Sequence, residues 1–198
     1  MTRSISGWFF IYDTESLNEI VFLRMATHLN IEIKAKCQNP GFIREYLKKN
    51  NAEFKGSDHQ IDTYFNVENG RLKLREGNIE NNLIFYERND QPGVKESNFQ
   101  LIRVPDAKGL KEVLTKSLGI KIAVEKKREI YFIGNVKFHI DEVTGLGNFA
   151  EIEASDLYAD ISKEKLQRQC EFYLEEFGVR EKDLISFSYS DMLLALQE

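Results

Sequence analysis

From Asn30 the chain alternates, with Ile31, Ile33, Ala35 and Cys37 apolar and Asn30, Glu32, Lys34 and Lys36 polar. That period of two predicts a strand with unlike faces. Asn39-Pro40-Gly41 breaks it, and Phe42, Ile43, Tyr46 and Leu47 then recur at helical spacing until Asn50-Asn51. The spacing predicts one helix of about three turns. Ile61 to Val67 and Arg71 to Arg75 predict an antiparallel hairpin, because Asn69-Gly70 between them supplies the positive-φ pair of a tight turn. Leu83 to Arg88 and Phe99 to Val104 predict two more strands, joined across the polar, turn-rich Asn89-Asp90-Gln91-Pro92-Gly93.

Asp106 is placed to cap a helix carrying Leu110, Val113, Leu114 and Leu118 and ended by Gly119. Ile122 to Phe132, Val136 to Val143 and Phe149 to Ala154 predict a meander turned at Gly134-Asn135 and Gly145-Leu146-Gly147. An amphipathic helix is predicted from Ser162 to about Phe177, and a last one from Glu181 to Leu196 with Leu184, Ile185, Met192 and Leu193 on its core face.

At 198 residues and 42% apolar content the chain can bury a core, and it is expected to form one domain over residues 25–198. Residues 1–24 carry nothing that ties them to the rest; they are expected to be an appendage, with Met25 as the alternative translation start. A net charge of −5 argues against general attraction to nucleic acid or an anionic membrane, so any anion must be held by a local basic patch. Cys37 and Cys170 have neither a disulfide nor a zinc spacing, which points to a reducing cytoplasm. The apolar run Trp8 to Tyr12 is too short for a signal segment or a span of roughly 20 residues.

The polar faces of the strands are sorted by sign. Lys34 and Lys36, then Arg71, Lys73 and Arg75, then Arg88, then Lys126 and Arg128 are basic, whereas Glu32, Asp141, Glu151 and Glu153 are acidic. Next-but-one side chains on a strand lie roughly 7 Å apart, so the row Arg71, Lys73, Arg75 repels itself unless an anion sits between its members. Taken singly, each row reads as a solvated face neutralised by neighbouring strands. Together they match a polyphosphate, which guanidinium groups grip bidentately, with carboxylates holding Mg²⁺ or Mn²⁺. Enclosing so many charges calls for apolar outer faces: Ile33, Ala35, Leu72 and Leu74 would pack under helices, although Lys127 breaks that pattern. The expected fold is therefore α+β, a closed antiparallel β-barrel of about eight strands with helices outside. His28, His59 and His139 have no metal spacing and read as polar or packing residues.

Asn-Ile-Glu-Ile-Lys-Ala-Lys at 30–36 resembles the E-x-E-x-K signature of the CYTH superfamily of triphosphate tunnel metalloenzymes. Asp62-Thr63-Tyr64-Phe65, Gly70 to Glu76, Tyr86-Glu87-Arg88, Val124-x-Lys126-x-Arg128 and His139 to Glu153 are similar to its class IV adenylyl cyclase-like branch in order and spacing. The likeness covers about residues 28–196. It implies that Lys34, Lys36, Arg71, Lys73, Arg75, Arg88, Lys126 and Arg128 bind phosphates and that Asn30, Glu32, Asp141, Glu151 and Glu153 hold Mg²⁺ or Mn²⁺. Asp141 stands there as metal ligand or as the group orienting the attack, and Glu32, Lys34 and Asp141 are the expected catalytic set. Asn30 replaces the signature's first glutamate; its amide oxygen can ligate but adds no charge. The resemblance implies conversion of ATP to cyclic AMP and pyrophosphate, with a tripolyphosphatase or thiamine triphosphatase as the alternative. A non-catalytic nucleotide-binding module and a salt-bridged interaction barrel complete the field, and a homodimer is expected from the family alone. The sequence discloses no adenine pocket.

Overall fold

A computed structural model of the chain describes residues 28–88, 95–156 and 161–197. The proposed appendage and the turn at 89–93 lie outside the described residues. The chain runs β1 (His28–Lys36), α1 (Pro40–Lys49), β2 (Glu53–Phe65), β3 (Arg71–Glu76), β4 (Asn82–Arg88), β5 (Lys95–Arg103), α2 (Ala107–Leu118), β6 (Ile120–Ile133), β7 (Val136–Val143), β8 (Gly147–Ser155), α3 (Lys163–Glu176) and α4 (Tyr189–Leu194). All pairings are antiparallel, and β1 pairs with β5 on one side and β8 on the other. The order β1-β5-β4-β3-β2-β6-β7-β8 thus returns on itself as a barrel.

The outward residues explain where the helices lie. Ile31, Ile33, Val136, Phe138, Ile140, Ile152 and Ala154 form one apolar face with Ile43 and Leu47 of α1 and Leu166 and Cys170 of α3. Leu72, Leu74 and Leu83 meet Leu110, Leu114 and Leu118 of α2. Asn39 accepts from the Phe42 amide at 3.2 Å and Asp106 from that of Gly109 at 2.9 Å, so both early helices start where a side chain satisfies a free amide. The alternating partners Ile33, Ala35 and Leu74 are buried, whereas Lys127 lies on an outer stretch that faces water.

Three sequence expectations are corrected. β2 starts at Glu53 and not Ile61, because its inward residues there, Asp58 and Gln60, are polar yet fully buried, and a bulge at Gly56 interrupts the alternation. The C-terminal helix is interrupted: a 3₁₀ turn at Glu181–Asp183 precedes an extended stretch, and α4 is short. In that stretch the Ile185 amide donates to the Lys34 carbonyl at 2.8 Å and Leu184 bridges Ala35, beyond the point where β5 leaves β1. Backbone bonds to a strand replace those of a helix. Val113, read as a core position, is 61% exposed on the far side of α2.

Candidate active site

The inward faces enclose a cavity of about 290 Å³. At one end Tyr189, Met192 and Leu193 of the α4 segment pack on the inward residues Ile122, Val124, Val143 and Phe149. Below this plug the walls are ionic. Asp62 of β2 accepts from Lys73 Nζ at 3.0 Å, Arg75 Nε at 2.8 Å and Lys126 Nζ at 2.8 Å, and is itself buried. Burial alone would raise its carboxyl pKa; the Arg75, Lys126 and Lys73 charges overcome that and hold it well below the usual range. Burial pushes the Lys126 ammonium down to about 7, with Asp62 opposing the shift and Arg75, Arg128 and Lys73 adding to it. Arg75 also reaches Glu80 at 2.8 Å, and Glu80 takes Lys137 at 2.6 Å.

Next along β6, Arg128 forks onto Asp141 at 2.7 and 2.5 Å and touches Glu151 at 2.5 Å. Lys34 meets Glu151 at 2.7 Å and lies 4.1 Å from the centre of the Tyr189 ring, whose hydroxyl donates to Asp141 at 2.8 Å. Along the seam of β1 and β8, Glu32 stands directly opposite Glu153, Lys34 opposite Glu151 and Asn30 opposite Ser155. Like charges facing each other across a ladder are destabilising unless a cation joins them. Glu32, Glu151, Glu153 and the Asn30 amide offer hard oxygen donors of the kind Mg²⁺ and Mn²⁺ take, so the residues present fit such an ion. His139 Nδ1 joins this edge, 3.1 Å from Glu151 and 3.5 Å from Glu153. The three side chains have ligand atoms within 4.8 Å of one another, so His139 is a polar residue tied to this acidic edge.

The profile of the CYTH domain matches residues 28–189. The chain belongs to the CYTH domain family. It is similar to a Methanocaldococcus jannaschii protein provisionally named an adenylate cyclase, with 27% identity over 177 residues, 83% of this chain and 98% of that protein. A solved Pyrococcus horikoshii protein shares the fold at a TM-score of 0.70 and 24% identity, covering 82% of this chain and 98% of its own. So does a Hippeastrum protein, provisionally assigned to the adenylyl cyclases and described as having a dominant triphosphatase activity, at 0.56 and 14%, covering 85% and 95%.

In this CYTH barrel the cavity wall gathers Asn30, Glu32, Lys34, Lys73, Arg75, Lys126, Arg128, Glu151 and Glu153 from the expected set. Lys36 and Arg71 sit off the wall near α4, where Lys36 donates to the Leu146 carbonyl at 2.8 Å and Arg71 pairs with Asp191 at 3.0 Å. Asp141 stands behind Arg128, fully buried. Arg88 ends β4, but its side chain lies outside the described residues. Sequence reasoning assigned no role to Asp62, Glu80, Lys137 or Tyr189. Asp62 shares the inward parity of Tyr64, and Lys137 that of His139 and Asp141, so periodicity could have found both. Glu80 lies in a loop, where no period points inward.

Proposed function

We propose that this CYTH domain binds a nucleoside triphosphate together with Mg²⁺ or Mn²⁺ and acts as an adenylyl cyclase, forming cyclic AMP and pyrophosphate from ATP. The observation that carries the reading is the charge balance of the cavity: Lys34, Lys73, Arg75, Lys126, Arg128 and Lys137 face Glu32, Asp62, Glu80, Glu151 and Glu153 across one space. Such a wall is close to neutral and suits a ligand that brings its own counter-ions, as a metal-bound triphosphate does. Lys73, Arg75 and Lys126 exchange the Asp62 carboxylate for phosphate oxygens. Glu32 and Glu153, with Glu151 and the Asn30 amide, hold the metal, whose chemistry is to acidify an attacking hydroxyl and to stabilise charge at phosphorus. The ribose 3′-oxygen bonds to the α-phosphorus, its proton passes to the carboxylate edge, and the bond to pyrophosphate breaks. Lys34 lies beside that edge, and Asp141 acts through Arg128 by fixing its guanidinium.

Hydrolysis of a triphosphate is the second reading, favoured by the Hippeastrum fold neighbour, since the same wall can aim water at the terminal phosphorus. Incubation of the purified protein with ATP, tripolyphosphate or thiamine triphosphate in Mg²⁺ or Mn²⁺ separates the two. Cyclic AMP and pyrophosphate without orthophosphate is the expected outcome; orthophosphate selects the triphosphatase, and turnover of none of the three rejects both.

A further inference from the structure

Behind the carboxylates of β8 stands an imidazole that phosphate binding does not call for. Glu151 and Glu153 line the cavity, while His139 of β7, the cross-strand partner of Glu151, is 1% exposed. Its Nδ1 lies 3.1 Å from Glu151 Oε2 and 3.5 Å from Glu153 Oε1, so one nitrogen addresses both side chains. Nε2, on the far side of the ring, is buried and has no hydrogen-bond partner among the described residues. A buried polar atom left unpaired is costly, and an apolar side chain would carry no such cost, so packing alone gives no reason for a histidine here.

The contacts assign the tautomer. Burial, with the Arg128 charge, lowers the pKa of the ring, which is therefore neutral at pH 7 and carries one N–H. Two carboxylate oxygens face Nδ1, so the proton sits there and Nε2 keeps a bare lone pair. The two carboxylates differ in how firmly they are held. Glu151 is gripped by Lys34 at 2.7 Å and by Arg128 at 2.5 Å, whereas Glu153 has a side chain 23% exposed and stands directly opposite Glu32 across the ladder. Facing carboxylates repel and turn apart unless something holds them. A neutral donor does so without competing with a cation for their charge, as a lysine or arginine would.

We infer that His139 is a positioning residue for the divalent cation: its Nδ1–H ties Glu153 to Glu151 and keeps the Glu153 carboxylate in place opposite Glu32. This rests on the reading of the carboxylate edge as the metal site. The test is Mn²⁺ binding without nucleotide, read from the paramagnetic resonance of the free ion, in the native, His139→Leu and His139→Asn proteins. His139→Leu should weaken Mn²⁺ by about tenfold or more, the scale seen when a group that orients a metal ligand is lost. His139→Asn, whose amide N–H can stand where Nδ1–H stood, should remain within about threefold of native, and metal-free tripolyphosphate affinity should change by less than about twofold in either variant. Native-like Mn²⁺ binding by the Leu variant, an Asn variant as weak as the Leu variant, or equal losses of Mn²⁺ and tripolyphosphate overturns the inference and leaves the metal reading in place. Should neither variant fold, long-range ¹H–¹⁵N spectra of the native protein decide it: a proton on Nδ1 is expected, and a proton on Nε2 alone overturns it. If the native protein binds no Mn²⁺, the metal reading falls and the inference with it.

Discussion

Asp62 draws Lys73, Arg75 and Lys126 to one buried carboxylate. Buried ions are costly unless paired, and a carboxylate that satisfies three cations is also a ready competitor for an incoming phosphate. Lys126 is the member most sensitive to pH. Its pKa falls to about 7 in the folded protein, mainly through burial, against about 10.4 in an unfolded chain. Between those values the unfolded chain binds the extra proton, so this group's contribution to stability rises with pH across the window and is flat below it. Phosphate affinity moves the other way, falling as pH rises through about 7 and the ammonium discharges. Chemical denaturation and tripolyphosphate titration over the same pH range should show these opposite slopes. In Lys126→Met both slopes should flatten.

Among the elements, the β3–β4 connection shows how a loop residue is brought into the wall. Asp58, fully buried on β2, accepts from the amides of Ile79 at 2.9 Å and Glu80 at 3.1 Å and from Gln60 at 2.8 Å. Gly77 runs so close to this carboxylate that a Cβ there would stand 2.7 Å from Asp58 Oδ2. The strap aims Glu80 at Arg75 and Lys137. Asp58→Ala leaves those amides without their acceptor and should cost about 1–3 kcal/mol for each that stays buried. Hydrogen exchange at Ile79 and Glu80 should then accelerate far more than at Ile31 or Leu74 in the barrel.

The same elements show what could be read in advance. β1, β3, β7 and β8 were legible because one face is apolar and packed, so the period of two survives. The first half of β2 was not, since Asp58 and Gln60 point inward and a polar-lined interior removes the contrast on which the pattern depends. Lys73, Arg75, Lys126 and Arg128 could be placed by parity. Glu80 and Tyr189 could not, because their positions depend on a strap from Asp58 and on a chain segment laid against β1.

For the whole molecule, packed outer faces support an ionic interior. Three apolar layers, under α1 and α3, under α2, and below α4, surround a cavity whose opposite charges nearly cancel. On the proposed reading, the carboxylates of β1 and β8 would hold the cations that accompany the phosphates. The family relationship and the shared fold agree with this architecture, while the chemistry rests on the side chains themselves. The most direct measurement is a crystal structure of the complex with a non-hydrolysable ATP analogue and Mn²⁺, with anomalous scattering recorded at the manganese edge. An anomalous peak between Glu32 and Glu153, with the phosphates against Lys73, Arg75 and Lys126, is the expected result. Manganese and phosphates bound outside the barrel, with Asp62 still holding its cations, would contradict it.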